Sequence, residues 1–178
     1  MSREQARRFE GQDCRQVSLG GLLLSEELKS RRDDPYNLAR FVAAQDHVFA
    51  QAVMELGNGK KHGHWMWFIF PQIVGLGFSQ TARIFEISSR AEAEAYLQHA
   101  VLGPRLLECS RMVNLVEGRS AHDIFGDPDE LKFHSSMTLF ANVATDKRAF
   151  EEALERFFGG QPDAPTLRIL AALDDGAR

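Results

Sequence analysis

Helix start and stop signals recur along this chain at spacings that leave room for short helices and little else. Asp34 can cap a helix whose first position is Pro35, where a missing N–H costs nothing. Leu38, Phe41, Val42, Phe49, Val53 and Leu56 then follow helical spacing, so one helix is expected from Pro35 to a stop at Gly57. Ser89-Arg90-Ala91-Glu92 has the reciprocal capping pattern, with the serine able to accept from the backbone at Glu92 and the glutamate able to reach back. Gly103-Pro104 opens a stripe of Leu106, Cys109, Met112, Val113 and Val116 that ends at Gly118. Asp127-Pro128-Asp129-Glu130 supplies a cap, a first-position proline and acidic residues at a helix's positive end. Asp146 precedes a helix with Phe150, Leu154, Phe157 and Phe158 on one side and Gly159-Gly160 at its stop, and Asp163 precedes a last apolar run, Leu167 to Leu173.

No period-2 strand flanked by a hairpin turn competes with this pattern. His64 to Phe70 is too short for periodicity to separate buried strand from buried helix, and the surrounding caps favour helix. The 178 residues suit roughly one domain at about 150 residues each, and 44% apolar residues suffice for a core. The expected fold is a compact, multihelical, all-α single domain of about seven or eight helices with little or no sheet. Residues 1–33 form an extension of weak periodicity, with one short helix at Ser25-Glu26-Glu27-Leu28; 34–173 form the helical domain; 174–178 form a tail expected to fray.

Composition removes several function classes. A net charge of -4 lacks the basic footprint of a nucleic-acid binder. No apolar run approaches the ~20 residues of a membrane span, and Leu22 to Leu24 is too short for a signal-peptide core, so a cytoplasmic location is expected. Two cysteines are too few for a disulfide framework, and Cys109, set among Leu106, Leu107, Met112 and Val113, reads as a small core residue. No cofactor is implied.

Two segments stand out chemically. In Gly57 to Gln72, three glycines with Lys60 and Lys61 lead into His64-Trp65-Met66-Trp67, a loop able to offer cations and backbone N–H groups to an anion, with indoles to stack on a ring. The P-loop spacing fails, because Gly59-Lys60 is followed by Lys61. His62 and His64 form an H-x-H pair suited to a strand, but a helix turns such side chains apart, so no metal site is expected. In Leu131 to Phe140, Lys132, His134, Ser135, Ser136 and Thr138 interrupt an apolar helix. Their hydroxyls must bond the backbone, one another or a ligand. No nucleophile elbow is present, and Glu151-Glu152 reads as a solvated helix face.

The chain resembles the DUF1810 family. The resemblance rests on Asp34-Pro35-Tyr36-Asn37-Leu38, Arg40-Phe41-Val42 with Gln45, the run His64 to Gln72, Leu102-Gly103-Pro104-Arg105-Leu106, Ile124-Phe125-Gly126, Lys132 with Ser135 to Phe140, and Phe157-Phe158-Gly159-Gly160. It spans about Asp34 to Leu173, and implies a mainly helical fold in a mostly bacterial family. The calpastatin label carried by some members does not fit, since that inhibitor is disordered. The occurrence of other members beside ADP-ribose-binding macro domains implies nucleotide or ADP-ribose handling. Where the family has tyrosine, this chain has Phe49 and Phe85.

Two functional expectations follow. The first is a site for a phosphate-bearing small molecule. Lys60, Lys61 and Lys132 would meet the charge, Trp65 or Trp67 would stack, and Gln72, His134, Ser135, Ser136 and Thr138 would orient the ligand. His64 or His134 would move a proton if chemistry occurs. It requires the tryptophan run and the serine-rich helix to wall one cavity. The second is a non-catalytic interaction module, a homo-oligomer included, favoured by thirteen phenylalanines against two tyrosines.

Overall fold

The computed structural model describes residues 34–176. The expected helix at Ser25 to Leu28 and the last two residues lie outside them. Residues 34–38 belong to a unit separate from the body that follows. The helix expected to start at Pro35 does not: Asn37 takes a left-handed conformation (φ 52°), which breaks the helical run. Asp34 still caps, its carboxylate accepting from the Leu38 N–H at 2.7 Å.

From Ala39 onward the described residues form ten helices: α1 Ala39–Asp46, α2 Phe49–Gly57, α3 Met66–Ile69, α4 Gln80–Ile84, α5 Arg90–Gln98, α6 Leu102–Asn114, α7 Ala121–Phe125, α8 Asp129–Val143, α9 Arg148–Phe158 and α10 Ala164–Gly176. The all-α class is as expected, with more and shorter helices. The stripe from Leu38 to Leu56 is cut at His47-Val48, where Val48 closes a three-residue turn onto the Gln45 carbonyl and α2 restarts. His64 to Phe70 yields the single turn α3. Among the described residues there is no strand, only one parallel bridge between Ile73 and Ile87.

Some starts match the sequence reading and some do not. Ser89 caps α5 by accepting from Glu92 N, but the Glu92 carboxylate turns to Ser88 and to Arg40 (2.6 Å) instead of to Ser89. A buried carboxylate gains more from a guanidinium than from one more N–H. Asp127 does not cap α8, whose N-cap is Pro128. α6 starts at Leu102, before Pro104, and ends at Asn114, short of Gly118. α9 stops where expected, with Gly159 at φ 59°, a conformation costly to any residue with a Cβ. The C-terminal segment is helical to Gly176, and Asp174 pairs with Arg90 at 3.0 Å where fraying was expected.

α6 and α8 are the two hubs. α6 packs on α2, α3, α5 and α9; α8 packs on α3, α5, α7, α9 and α10. Phe133 of α8, fully buried, meets Phe70 at 5.0 Å, Phe125 at 4.7 Å, Phe157 at 6.1 Å and Phe158 at 6.3 Å. That cluster explains why phenylalanine so outnumbers tyrosine: the rings fill volume and need no partner for a hydroxyl. α5 and α6 approach closely at Gly103, where an added Cβ would overlap the Leu97 carbonyl. No described helix is long and apolar enough to cross a membrane.

Candidate functional site

The loop after α2 is fastened from beneath by one carboxylate. Glu55 lies in α2 next to Leu56 and is buried. It accepts from the backbone N–H groups of His62 (2.8 Å) and Gly63 (2.9 Å), from the Trp65 indole N–H (2.8 Å) and from the Gln51 amide (2.7 Å). Burial pushes its pKa up, but the donors of Gly63, His62, Gln51 and Trp65 outweigh burial and hold it at about 2. Trp65 is thereby sealed in the core, 1% exposed, and cannot stack on a ligand.

Above this anchor the loop separates its two lysines. Lys60 reaches the Asp123 carbonyl at 2.9 Å. Lys61 donates its backbone N–H to Ile124 and sends its ammonium to Asp129 Oδ2 at 2.6 Å, over the Trp65 ring at 5.2 Å. From α8, Lys132 reaches the other oxygen, Oδ1 of Asp129, also at 2.6 Å, and lies 4.5 Å from the centre of the half-buried Trp67 ring. Side-chain exposures are 9% for Lys61, 16% for Asp129 and 18% for Lys132. Burial raises the Asp129 pKa, and the hydrogen bonds and charges of Lys132 and Lys61 override it, so the carboxylate titrates below its ordinary value. Two cations and one anion thus share a sheltered spot, leaving one positive charge in excess.

The tryptophan run and the serine-rich helix therefore adjoin, through Lys132 on Trp67 and Phe70 against Phe133. Two described cavities lie elsewhere, one of about 390 Å³ lined by Gly57 to Gly59, Met112, Leu115 to Glu117 and Arg119, and one of about 290 Å³ beside Arg111 and Arg148. Neither includes Lys61, Lys132 or Trp67 in its lining.

Two hydroxyls of α8, those of Ser135 and Thr138, serve the fold. Ser135 bonds back to the Leu131 carbonyl at 3.0 Å, the cheap solution for a serine in a helix, and also reaches Asp163 at 3.3 Å. Thr138 accepts from the Asp163 N–H, while Asp163 caps α10 through Thr166. Ser136 is fully buried without a hydrogen-bond partner. His134 stacks on Phe158 at 4.0 Å with its Nε2 2.7 Å from the Gln161 carbonyl, so that nitrogen carries the proton and donates it. His64 is solvent-exposed, and the Gln72 backbone carbonyl accepts from Ile87 N. Among the described residues no group of three or more His, Cys, Asp or Glu side chains is placed to hold a metal ion.

A second polar knot was invisible as a site in the sequence. Gln45, 1% exposed, donates to the Phe68 carbonyl at 2.7 Å and to the Tyr96 hydroxyl at 2.9 Å, and Arg105 reaches Gln45 at 3.4 Å and Asp46 at 2.9 Å. Burial pushes the Tyr96 hydroxyl well above its usual pKa. The available signal was a glutamine placed four residues from Phe41 and from Phe49 on one apolar stripe. The sequence marks Asp129 only as a helix-dipole partner, and no local signal marks Glu55 as an anchor. The Ser120-x-x-Asp123 box that starts α7 was missed, though its spacing is a local signal.

A family model described as "Protein of unknown function (DUF1810)" matches residues 35–170. Among solved structures, the chain is similar to the conserved hypothetical protein Rv1873 from Mycobacterium tuberculosis, with 53% identity over 78% of this chain and 99% of that one and a TM-score of 0.77. No curated protein matches.

Proposed function

This chain belongs to the DUF1810 family, and on the chemistry of its lysine–tryptophan face we propose that it binds a small molecule bearing a phosphate, of the nucleotide or ADP-ribose class. One observation carries the reading. The Lys61 side chain is nine-tenths buried, yet among the described residues its three N–H donors meet a single acceptor, Asp129. A sheltered cation with unused donors beside a second cation is a place where an anion gains charge-assisted hydrogen bonds. Trp67, half-buried beside Lys132, supplies the ring face next to it. Lys61, Lys132 and Trp67 bind, and Trp65 with Glu55 forms the floor.

The test is a thermal-shift panel of AMP, ADP-ribose, NAD and sugar phosphates, since a ligand that binds only the native state raises its melting temperature. A hit abolished by Lys132→Ala supports the reading. A hit unchanged by Lys61→Ala and Lys132→Ala, or no hit at millimolar ligand, removes it. A second reading is self-association, favoured by Phe78 at 85% and Ile84 at 50% exposure along one short stretch. Light scattering on Phe78→Ser checks it: a dimer in the parent that dissociates in the variant is the expected result.

A further inference from the structure

The anion site just proposed has an occupant of its own, and the inference rests on that reading: we propose that Asp129 is an internal stand-in for the ligand's phosphate, a carboxylate that closes the site and swings out when a phosphate monoester dianion enters. Asp129 gives one oxygen to each ammonium, Oδ1 to Lys132 and Oδ2 to Lys61, both at 2.6 Å. Two oxygens of one phosphate make the same bridge, since their separation is only slightly longer than that of a carboxylate.

The lysines do not need Asp129 to stay in place. Lys132 rests on Trp67 and Lys61 on Trp65, and the Lys61 main chain is tied to the Ile124 carbonyl at 2.8 Å. Asp129, by contrast, is the first residue of α8 and hangs by a single methylene, so one χ1 rotation carries it off both ammoniums. The charge count agrees. Lys61, Lys132 and Asp129 together carry one positive charge, and with the carboxylate turned out the two lysines match a dianion. A monoester dianion suits this pair better than a polyphosphate, whose further charges find no partner in the trio.

Calorimetric titration of inorganic phosphate into the full chain at neutral pH, fixed ionic strength, tests the idea. Asp129→Asn should bind phosphate about tenfold more tightly than the parent, and adding Lys132→Ala to that variant should abolish the gain. Asp129→Ser, which removes the carboxylate altogether, serves as the second variant. If both variants bind phosphate no tighter than a parent whose own binding needs Lys61 and Lys132, the stand-in fails while the anion site survives. If no protein in the set shows lysine-dependent binding, both fail. If neither variant folds, Asp129 is a structural tie and the stand-in is overturned.

Discussion

Replacing Glu55 with glutamine keeps the shape of the side chain while removing its charge, one accepting oxygen becoming a donor NH2, which makes it the sharpest probe of the loop that carries Lys61. Three donors converge on Oε2 of Glu55, those of His62, Gly63 and Trp65. The carboxyl titrates near 2 in the native protein against a reference of 4.5. A native pKa below the unfolded one means that the stabilisation is fully present above about pH 5 and is lost as the pH falls towards 2. A shift of that size corresponds to about 3 kcal/mol. Glutamine mimics the protonated state, so Glu55→Gln should cost about 3 kcal/mol at pH 7, or about 6–12 °C in Tm for a protein of this size. The cost should shrink towards zero near pH 2. Urea unfolding of parent and variant at several pH values reads both numbers. A variant within about 0.5 kcal/mol of the parent at pH 7, with the same acid slope, would refute the claim that Glu55 fastens this loop by charge.

Other consequences follow from packing. Phe133→Ala removes the ring on which four others converge and should lower unfolding free energy by about 3–5 kcal/mol, measured by chemical denaturation. Gly103→Ala should destabilise by about 2 kcal/mol or more in the same assay, because the new methyl meets the Leu97 backbone, which cannot give way as a side chain can. Burial pushes the Cys109 thiol up to about 12, so in a Cys14→Ser background the native protein should not react with a thiol reagent at pH 8 until denaturant is added.

What the sequence disclosed was local. Ser89 and Gly159 act within a few residues of themselves, and both do what their spacing implied. The Asp34–Pro35 start misled because Asn37 adopts a left-handed conformation that neither neighbour announces. The candidate site was half legible. Lys61, Lys132, Trp65 and Trp67 drew notice as unusual residues in apolar company, yet whether an indole is sealed or available depends on Glu55, whose role is set by a loop folding back over α2. Asp129 and Lys132 are an i,i+3 pair that helical spacing encodes, whereas the pairing of Lys61 with Asp129 joins two distant segments, and no periodicity encodes it. Ser135 and Thr138 looked like ligand contacts because α10, whose capping Asp163 they meet, is placed only by tertiary packing.

The central claim is that Lys61 and Lys132 hold a phosphate, and a crystal of the protein grown with AMP, a phosphate monoester, tests it most directly. Difference density should place one phosphate within about 3.2 Å of both ammoniums, with an ordered group against the free face of Trp67. Density for the ligand at any other surface, or a lysine pair unchanged around Asp129 at saturating ligand, would contradict it.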